Sequence, residues 1–195
     1  MYRFFLIAVD IVPAAVVLIP LFVILYVTAF KQNLTKSCLY CLFCLYLSAV
    51  FSLVGIPNVL YVRPELNLNL IPFLGIIDDL KNSLLNILLF IPLGFLLPLL
   101  WETYRKISRT VFFGLIFSMT IELLQMLTFR ATDVNDLITN TSGALIGFFL
   151  AAPVLRKVSA AVQGKKDVYM LLAVSFGVMF FLHPFLSPLI WDKFL

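Results

Sequence analysis

Residues 117–147 read FSMTIELLQMLTFRATDVNDLITNTSGALIG. The apolar character on both sides of a short polar connection predicts the end of one membrane-spanning helix and the start of the next. Polar side chains nevertheless stand in or beside both spans, and the ones that matter here are Glu122, Gln125, Arg130, Asp133, Asp136 and Asn140. An ionisable residue costs roughly 2.5 to 3.5 kcal/mol at the bilayer centre, so each is by default a candidate for a functional site.

The composition of the whole chain supports a membrane location. Of its 195 residues, 63% are hydrophobic and 12% are charged, with a mean hydropathy of +1.08, whereas soluble domains are about 45 to 50% apolar. A span takes about 20 apolar residues, and the apolar runs are continuous instead of alternating in barrel-like segments. We therefore predict an all-α, polytopic transmembrane helical bundle of five to six spans, in a single integral membrane domain covering residues 1–195. The six candidate spans lie near residues 4–30, 38–56, 84–100, 110–127, 137–153 and 168–186.

The basic residues predict the orientation, because Lys and Arg accumulate in cytoplasmic loops. With six spans, one side collects Lys31, Lys36, Arg105, Lys106, Arg109, Arg156, Lys157, Lys165 and Lys166, and the other has Arg3, Arg63, Lys81, Arg130 and Lys193. This asymmetry places both termini outside, and a terminus changes side if the first or the last segment fails to cross. The net charge of +4 is then a topology signal, and we expect no nucleic-acid partner.

On this topology the polar residues converge at the outer rim of the membrane. Glu122 lies twelve residues into the fourth span, counted from Thr110, which is about 18 Å along a helix at roughly 1.5 Å per residue. That distance reaches the outer half of a hydrocarbon core roughly 30 Å thick. We therefore expect one outward-facing polar cavity, and its candidate ligand-binding residues are Arg130, Glu122, Gln125, Asp133, Asp136, Asn140, Asn86 and Asp10.

Gly143 and Gly147 in the fifth span form a small-xxx-small pattern, which lets helix backbones approach closely in lipid. We expect this span to pack tightly against span four or span three. A purely structural role for the polar residues is the alternative: Asp133 caps span five, Asn140 bonds across helices, and Glu122 or Asp10 pairs with Arg130.

Two blocks of sequence resemble the VanZ-like family of bacterial membrane proteins, named after an accessory glycopeptide-resistance protein associated with teicoplanin resistance. The first block combines NLIPF at residues 69–73 with NILLFIPLG at residues 86–94. The second consists of Ser118, Glu122, Gln125, Arg130, Asp133, Asp136, Asn140, Gly143 and Gly147. The resemblance covers roughly residues 68–149. It implies a multi-pass protein of the bacterial cell membrane, with a role at the cell envelope and an association with reduced susceptibility to teicoplanin-like lipoglycopeptides.

Two functions remain open at this site, and a third is weaker. The first is binding of a lipid-linked or lipid-tailed molecule, such as a lipid-linked cell-wall precursor or a lipoglycopeptide, with Arg130 meeting a phosphate or carboxylate. The second is an enzyme that modifies an envelope lipid, with Glu122 or Asp136 as general base. A transporter is less favoured, because the polar groups gather at one rim. Membrane lipids are the expected partners in every case, and the sequence does not predict an oligomeric state.

We expect no metal and no cofactor. Cys38, Cys41 and Cys44 recur every three residues near one end of the second span, but a structural zinc site needs four ligands, and His183 is predicted at the opposite side. The three carboxylates Glu122, Asp133 and Asp136 have the chemistry that Mg²⁺ or Ca²⁺ prefers, which leaves a cation as a minor alternative. The chain has no phosphate-binding Gly-rich loop and no G-x-S-x-G nucleophile elbow.

Overall fold

The computed structural model describes residues 2–30, 33–64, 68–69, 71–73, 79–128, 132–157 and 166–192, without the side chains of residues 2–10 and 166. Arg130 and the side chain of Asp10 therefore lie outside the described part of the chain. The helices are α1 (Tyr2–Thr28), α2 (Leu34–Val54), α3 (Leu80–Leu100), a 3₁₀ turn (Glu102–Arg105), α4 (Ile107–Gln125), α5 (Val134–Leu155), α6 (Lys166–Gly177), a π-helical segment (Val178–Leu182) and α7 (His183–Trp191). Two short strands, β1 (Leu68–Asn69) and β2 (Thr132–Asp133), complete the described elements.

Within the described part of the chain, six helical segments are long and apolar enough to cross a membrane, the last of them running from Asp167 to Trp191 through α6, the π-helical segment and α7. The prediction of an all-α polytopic membrane protein is confirmed. Helices α2 and α5 begin three or four residues earlier than hydropathy predicts. The first turns of these two helices are capped: the side chain of Asn33 accepts a hydrogen bond from the Lys36 N–H, and that of Asp133 accepts one from the Asn135 N–H. Helices α3 and α4 also begin three or four residues early, without a side-chain cap. A side-chain cap satisfies an N–H group of the first helical turn, so it stabilises the polar first turns of α2 and α5 although their hydropathy is low.

The described chain divides into two compact units. The first, Met1–Val62 with Lys166–Leu195, contains α1, α2, α6, the π-helical segment and α7. Its core includes the fully buried side chains of Leu18, Phe43, Leu47 and Leu171. Helix α2 ends at Gly55, whose φ of 66° is left-handed and whose N–H donates to the Phe51 carbonyl. Glycine adopts this conformation without the steric cost of a Cβ, so it terminates the helix.

The π-helical segment of this unit ends two residues before a proline. Pro184 has no N–H to donate to the carbonyl of Phe180, four residues before it. That carbonyl instead accepts a hydrogen bond from the N–H of Val59, at 3.0 Å. The Phe180 carbonyl, which would be costly to leave unpaired in an apolar environment, is thus hydrogen-bonded to a residue distant in sequence.

The second unit, Arg63–Lys165, contains β1, α3, α4, β2 and α5. Helices α3 and α5 run parallel with their backbones in contact: a Cβ on Gly143 would meet the carbonyl of Ile87, and one on Gly147 would meet that of Ile91. A Cβ on Gly94 would likewise collide with the backbone of Ala144. The tight packing predicted for the fifth span is therefore confirmed, and its closest partner is the third span.

Helix α4 lies antiparallel to α5 in the same unit. A Cβ on Gly114 would stand 2.7 Å from the Cβ of Ala144. The Phe117 ring packs on that of Phe90, with centroids 5.8 Å apart. The three helices α3, α4 and α5 therefore share one core, and the candidate site is built on two of them.

Candidate functional site

Glu122 lies in the last turn of α4 and is only 5% exposed. Its Oε2 accepts a hydrogen bond from the backbone N–H of Asp133, at 2.9 Å. Its backbone carbonyl accepts another from Oγ1 of Thr132, at 3.1 Å. Glu122 therefore ties the end of α4 to the residues that lead into α5, through both its side chain and its main chain.

Asp133 is held by donors on both carboxylate oxygens. Its Oδ1 accepts the N–H of Asn135 at 2.8 Å, which caps α5, and its Oδ2 accepts Nδ2 of Asn69 at 3.0 Å. Strands β1 and β2 pair in parallel at this point, with Asn69 opposite Asp133. A negative charge at the start of α5 is also favoured by the helix dipole.

Asn135 makes a second connection to the segment that follows β1. Its Oδ1 accepts the backbone N–H of Phe73 at 2.7 Å. Phe73 has a φ of 66°, the one positive φ among the described residues other than glycine, and a bulky side chain disfavours this conformation. The segment containing β1 and Phe73 is thus attached to the α4–α5 connection at two places.

Asn140 lies further along α5 and is 2% exposed. Its Nδ2 donates to Oγ of Ser118 on α4, at 2.9 Å. Its Oδ1 is buried and has no hydrogen-bond partner among the described residues. Ser118 precedes Glu122 by four residues, so both lie on the face of α4 that meets α5.

The remaining predicted residues are placed as follows. Gln125 is buried at the last position of α4, three residues after Glu122. Asp136 is half-buried in the first turn of α5, and its carbonyl accepts Oγ1 of Thr139 at 3.2 Å. Asn86 is half-buried on α3, and its side chain forms no hydrogen bond with the described residues. Asp10 lies in α1, which belongs to the other compact unit.

The structure thus joins Glu122 directly to Asp133 and places Asn140 deeper between the same two helices. The structural roles predicted for two residues are confirmed: Asp133 caps α5, and Asn140 bonds across helices. The pairing of Glu122 or Asp10 with Arg130 falls outside the described residues and stays a prediction.

The partners of these residues were largely missed by sequence reasoning. Thr132 and Asn135 were not singled out, and Asn69 and Ser118 entered only as parts of the family resemblance. Ser118 carried a local signal, since it stands one helical turn before Glu122. Asn69 carried no local signal, because it lies 64 residues from its partner Asp133 in the chain.

The arrangement presents carboxylates as hydrogen-bond acceptors. Oε2 of Glu122 and both oxygens of Asp133 accept hydrogen bonds from N–H groups of the protein. Over the ranges that the structure describes, no three His, Cys, Asp or Glu side chains group as metal ligands. The three cysteines of α2 are free thiols there.

The second unit lies mostly within a range of the chain that is similar to a known protein family. Residues 17–156 match the model of the VanZ/LLP1 family, a range that includes every polar contact given above for the second unit. "Protein VanZ" of Enterococcus faecium is 34% identical over 85 residues, which are 43% of this chain and 52% of that protein. The chain thus spans about half the length of this curated relative. No solved structure matches the chain.

Proposed function

The chain belongs to the VanZ/LLP1 family, and on this premise we propose that it is a bacterial cell-envelope protein that binds a lipid-linked or lipid-tailed molecule. The binding site is the polar assembly formed by Glu122, Asp133 and Asn140 with their neighbours at the meeting of α4 and α5. By binding there, the protein alters how a teicoplanin-like lipoglycopeptide reaches its cell-wall target.

The buried carboxylate of Glu122 beside a lipid-facing residue is the observation that carries this proposal. Glu122 is 5% exposed, whereas the next residue, Leu123, is 57% exposed. A polar assembly and an apolar outer surface therefore lie one residue apart on α4. An amphiphile matches this pattern, since its head group binds polar side chains while its tail stays in lipid.

Arg130 is the residue that would recognise the head group. It stands in the connection between Glu122 and Asp133, and guanidinium forms bidentate hydrogen bonds with both phosphate and carboxylate. The two acidic side chains already accept hydrogen bonds from N–H groups of the protein, whereas a head group of negative charge needs a cationic partner. We expect the ligand to be anionic for this reason.

Susceptibility measurements in a bacterium expressing the protein test the proposal. Expression of the wild-type protein should reduce the susceptibility of the cells to teicoplanin. It should reduce their susceptibility less to a glycopeptide that has the same core but lacks the acyl tail. Arg130→Ala and Glu122→Gln should each abolish the difference while the protein still inserts at wild-type level. Arg109→Ala is the matched control, because Arg109 is an exposed arginine at the other end of α4. Wild-type behaviour from both site variants would sink the proposed site.

Binding is then measured directly on purified protein in lipid nanodiscs, with teicoplanin and a fluorescent lipid-linked cell-wall precursor as probes. Saturable binding that Arg130→Ala weakens and Arg109→Ala leaves unchanged supports the proposal. Equal binding by all three proteins contradicts it.

The enzymatic alternative has less support. Oε2 of Glu122 already has a structural role, because it accepts the Asp133 N–H. Comparing the envelope lipids and precursors of cells with and without the protein separates the two functions. A changed lipid profile that Glu122→Gln restores to that of cells lacking the protein would favour catalysis.

A further inference from the structure

Ile71, Pro72 and Phe73, here called the apolar tip, are exposed although they are hydrophobic. Ile71 is 60% exposed and Phe73 is 70% exposed. Leu68 in the preceding strand β1 is 48% exposed. No charged residue occurs between positions 68 and 73. The second unit therefore presents a short apolar surface that its own core does not cover.

The apolar tip is held in place by the rest of the unit. Phe73 adopts its φ of 66° while its N–H donates to Oδ1 of Asn135. Such a conformation costs on the order of 1 to 3 kcal/mol and persists only where surrounding contacts impose it. Leu68 and Asn69 add a parallel pairing with β2. The exposure of Phe73 is thus a fixed feature of the fold.

The attachment points of the apolar tip lie at the ends of two spans. Thr132 and Asn135 flank Asp133, the N-cap of α5. The chain before β1 is attached to the turn that follows α4, because the N–H of Arg63 donates to the carbonyl of Leu127. Leu123 in the last turn of α4 is 57% exposed, and Leu127 just after the helix is 37% exposed. The apolar tip is therefore attached at the end of the second unit where the exposed leucines of α4 also lie.

Backbone hydrogen bonding at the apolar tip also fits an apolar surrounding. Irregular backbone is tolerated at membrane depth only where its polar groups find partners in the protein. Pro72 has no N–H, and the N–H of Phe73 is paired with Asn135. Aromatic side chains are enriched where a membrane meets water, which is the level at which α4 ends and α5 begins.

We propose that the apolar tip inserts into the interfacial region of the lipid leaflet at which α4 ends and α5 begins, with the Phe73 ring among the acyl chains. This insertion anchors the segment after β1 to the membrane, and it does not depend on the ligand-binding function proposed above. The occupant of the surface is the bilayer itself, because the apolar tip is uncharged and is attached where one candidate membrane span ends and the next begins.

A fluorescent probe on residue 73 tests the insertion. Phe73→Cys is made in a variant with Cys38, Cys41 and Cys44 replaced by Ala, labelled with an environment-sensitive dye, and reconstituted into phosphatidylethanolamine and phosphatidylglycerol vesicles. Leu123→Cys is the lipid-facing control, and Lys106→Cys, an exposed position between α3 and α4, is the aqueous control. We expect brominated acyl chains to quench the residue 73 label as strongly as the Leu123 control, and aqueous iodide to leave it unquenched.

Two outcomes overturn the proposal. Iodide quenching equal to that of the Lys106 control places the apolar tip in water. Emission that varies with the protein-to-lipid ratio shows instead that a second copy of the chain covers it. A measurement on the unsubstituted protein avoids the risk that a variant misfolds. A photoreactive lipid with a diazirine in its acyl chain should label the peptide containing residues 71–73. If that peptide remains unlabelled, insertion is refuted.

Discussion

Oε2 of Glu122 accepts the backbone N–H of Asp133 at 2.9 Å, so the most deeply buried carboxylate of the site braces the entry into α5. Asp133 in turn caps that helix and holds Asn69. One chain of hydrogen bonds therefore runs from α4 through the connection to β1. A ligand bound at this place would rest on a scaffold that is already ordered.

Glu122→Ala should destabilise the protein by about 1 to 3 kcal/mol, because it leaves the part-buried N–H of Asp133 without its acceptor. Glu122→Gln should cost much less, since the amide oxygen still accepts that N–H. The midpoint of thermal unfolding in detergent, followed by helical circular dichroism, measures both. Equal losses from the two variants would show that the charge of Glu122, and not its hydrogen bond, stabilises the fold.

Gly143→Ala and Gly147→Ala should each destabilise the second unit by about 1 to 3 kcal/mol, the usual cost of overpacking a core. The added methyl would meet the backbone of α3 in both cases. Gly177→Ala is the control, because a Cβ at Gly177 has no neighbour within 4 Å. Its helix should be unchanged or more stable by up to about 1 kcal/mol. Unfolding in increasing denaturing detergent compares the three, and a uniform response would argue against close contact of α3 and α5.

Asn140→Ala and Ser118→Ala should be less costly together than the sum of the two single changes, because each removes the same hydrogen bond. Hydrogen bonds between membrane helices contribute on average about 0.6 kcal/mol and at most about 1.7 kcal/mol. A double-mutant cycle measures this coupling. Ser142→Ala with Ser118→Ala provides the additive comparison, since Oγ of Ser142 bonds to a carbonyl of its own helix. Additivity in both cycles would refute the hydrogen bond between Asn140 and Ser118.

The orientation in the membrane remains a prediction from the positive charges. With the cysteines of α2 replaced, a membrane-impermeant maleimide applied to intact cells should label Asn58→Cys, which follows α2, and should not label Lys106→Cys. Lys106→Cys should react once the membrane is permeabilised. The reverse pattern would place both termini inside.

Local sequence was sufficient for some parts of the site and not for others. The capping role of Asp133 is predictable because an N-cap acts on the residues that follow it directly. For Asn140, the sequence predicts a bond to a neighbouring helix but not the residue that makes it. Hydropathy does not say how each helix is rotated about its axis, and that rotation decides which side chains face one another. The contact between Asn135 and Phe73 joins residues 62 positions apart, and no local pattern encodes such a distance.

The sequence alone determined that this is an all-α membrane protein, since composition and span length follow from the free energy of placing side chains in lipid. It also determined that the fifth span packs closely, because two glycines share one helix face. Only the tertiary structure decided that α3 is the partner, that Glu122 binds the Asp133 N–H, and that β1 pairs with β2. These contacts depend on how the helices of the second unit face one another, and that arrangement is fixed by packing across the whole unit.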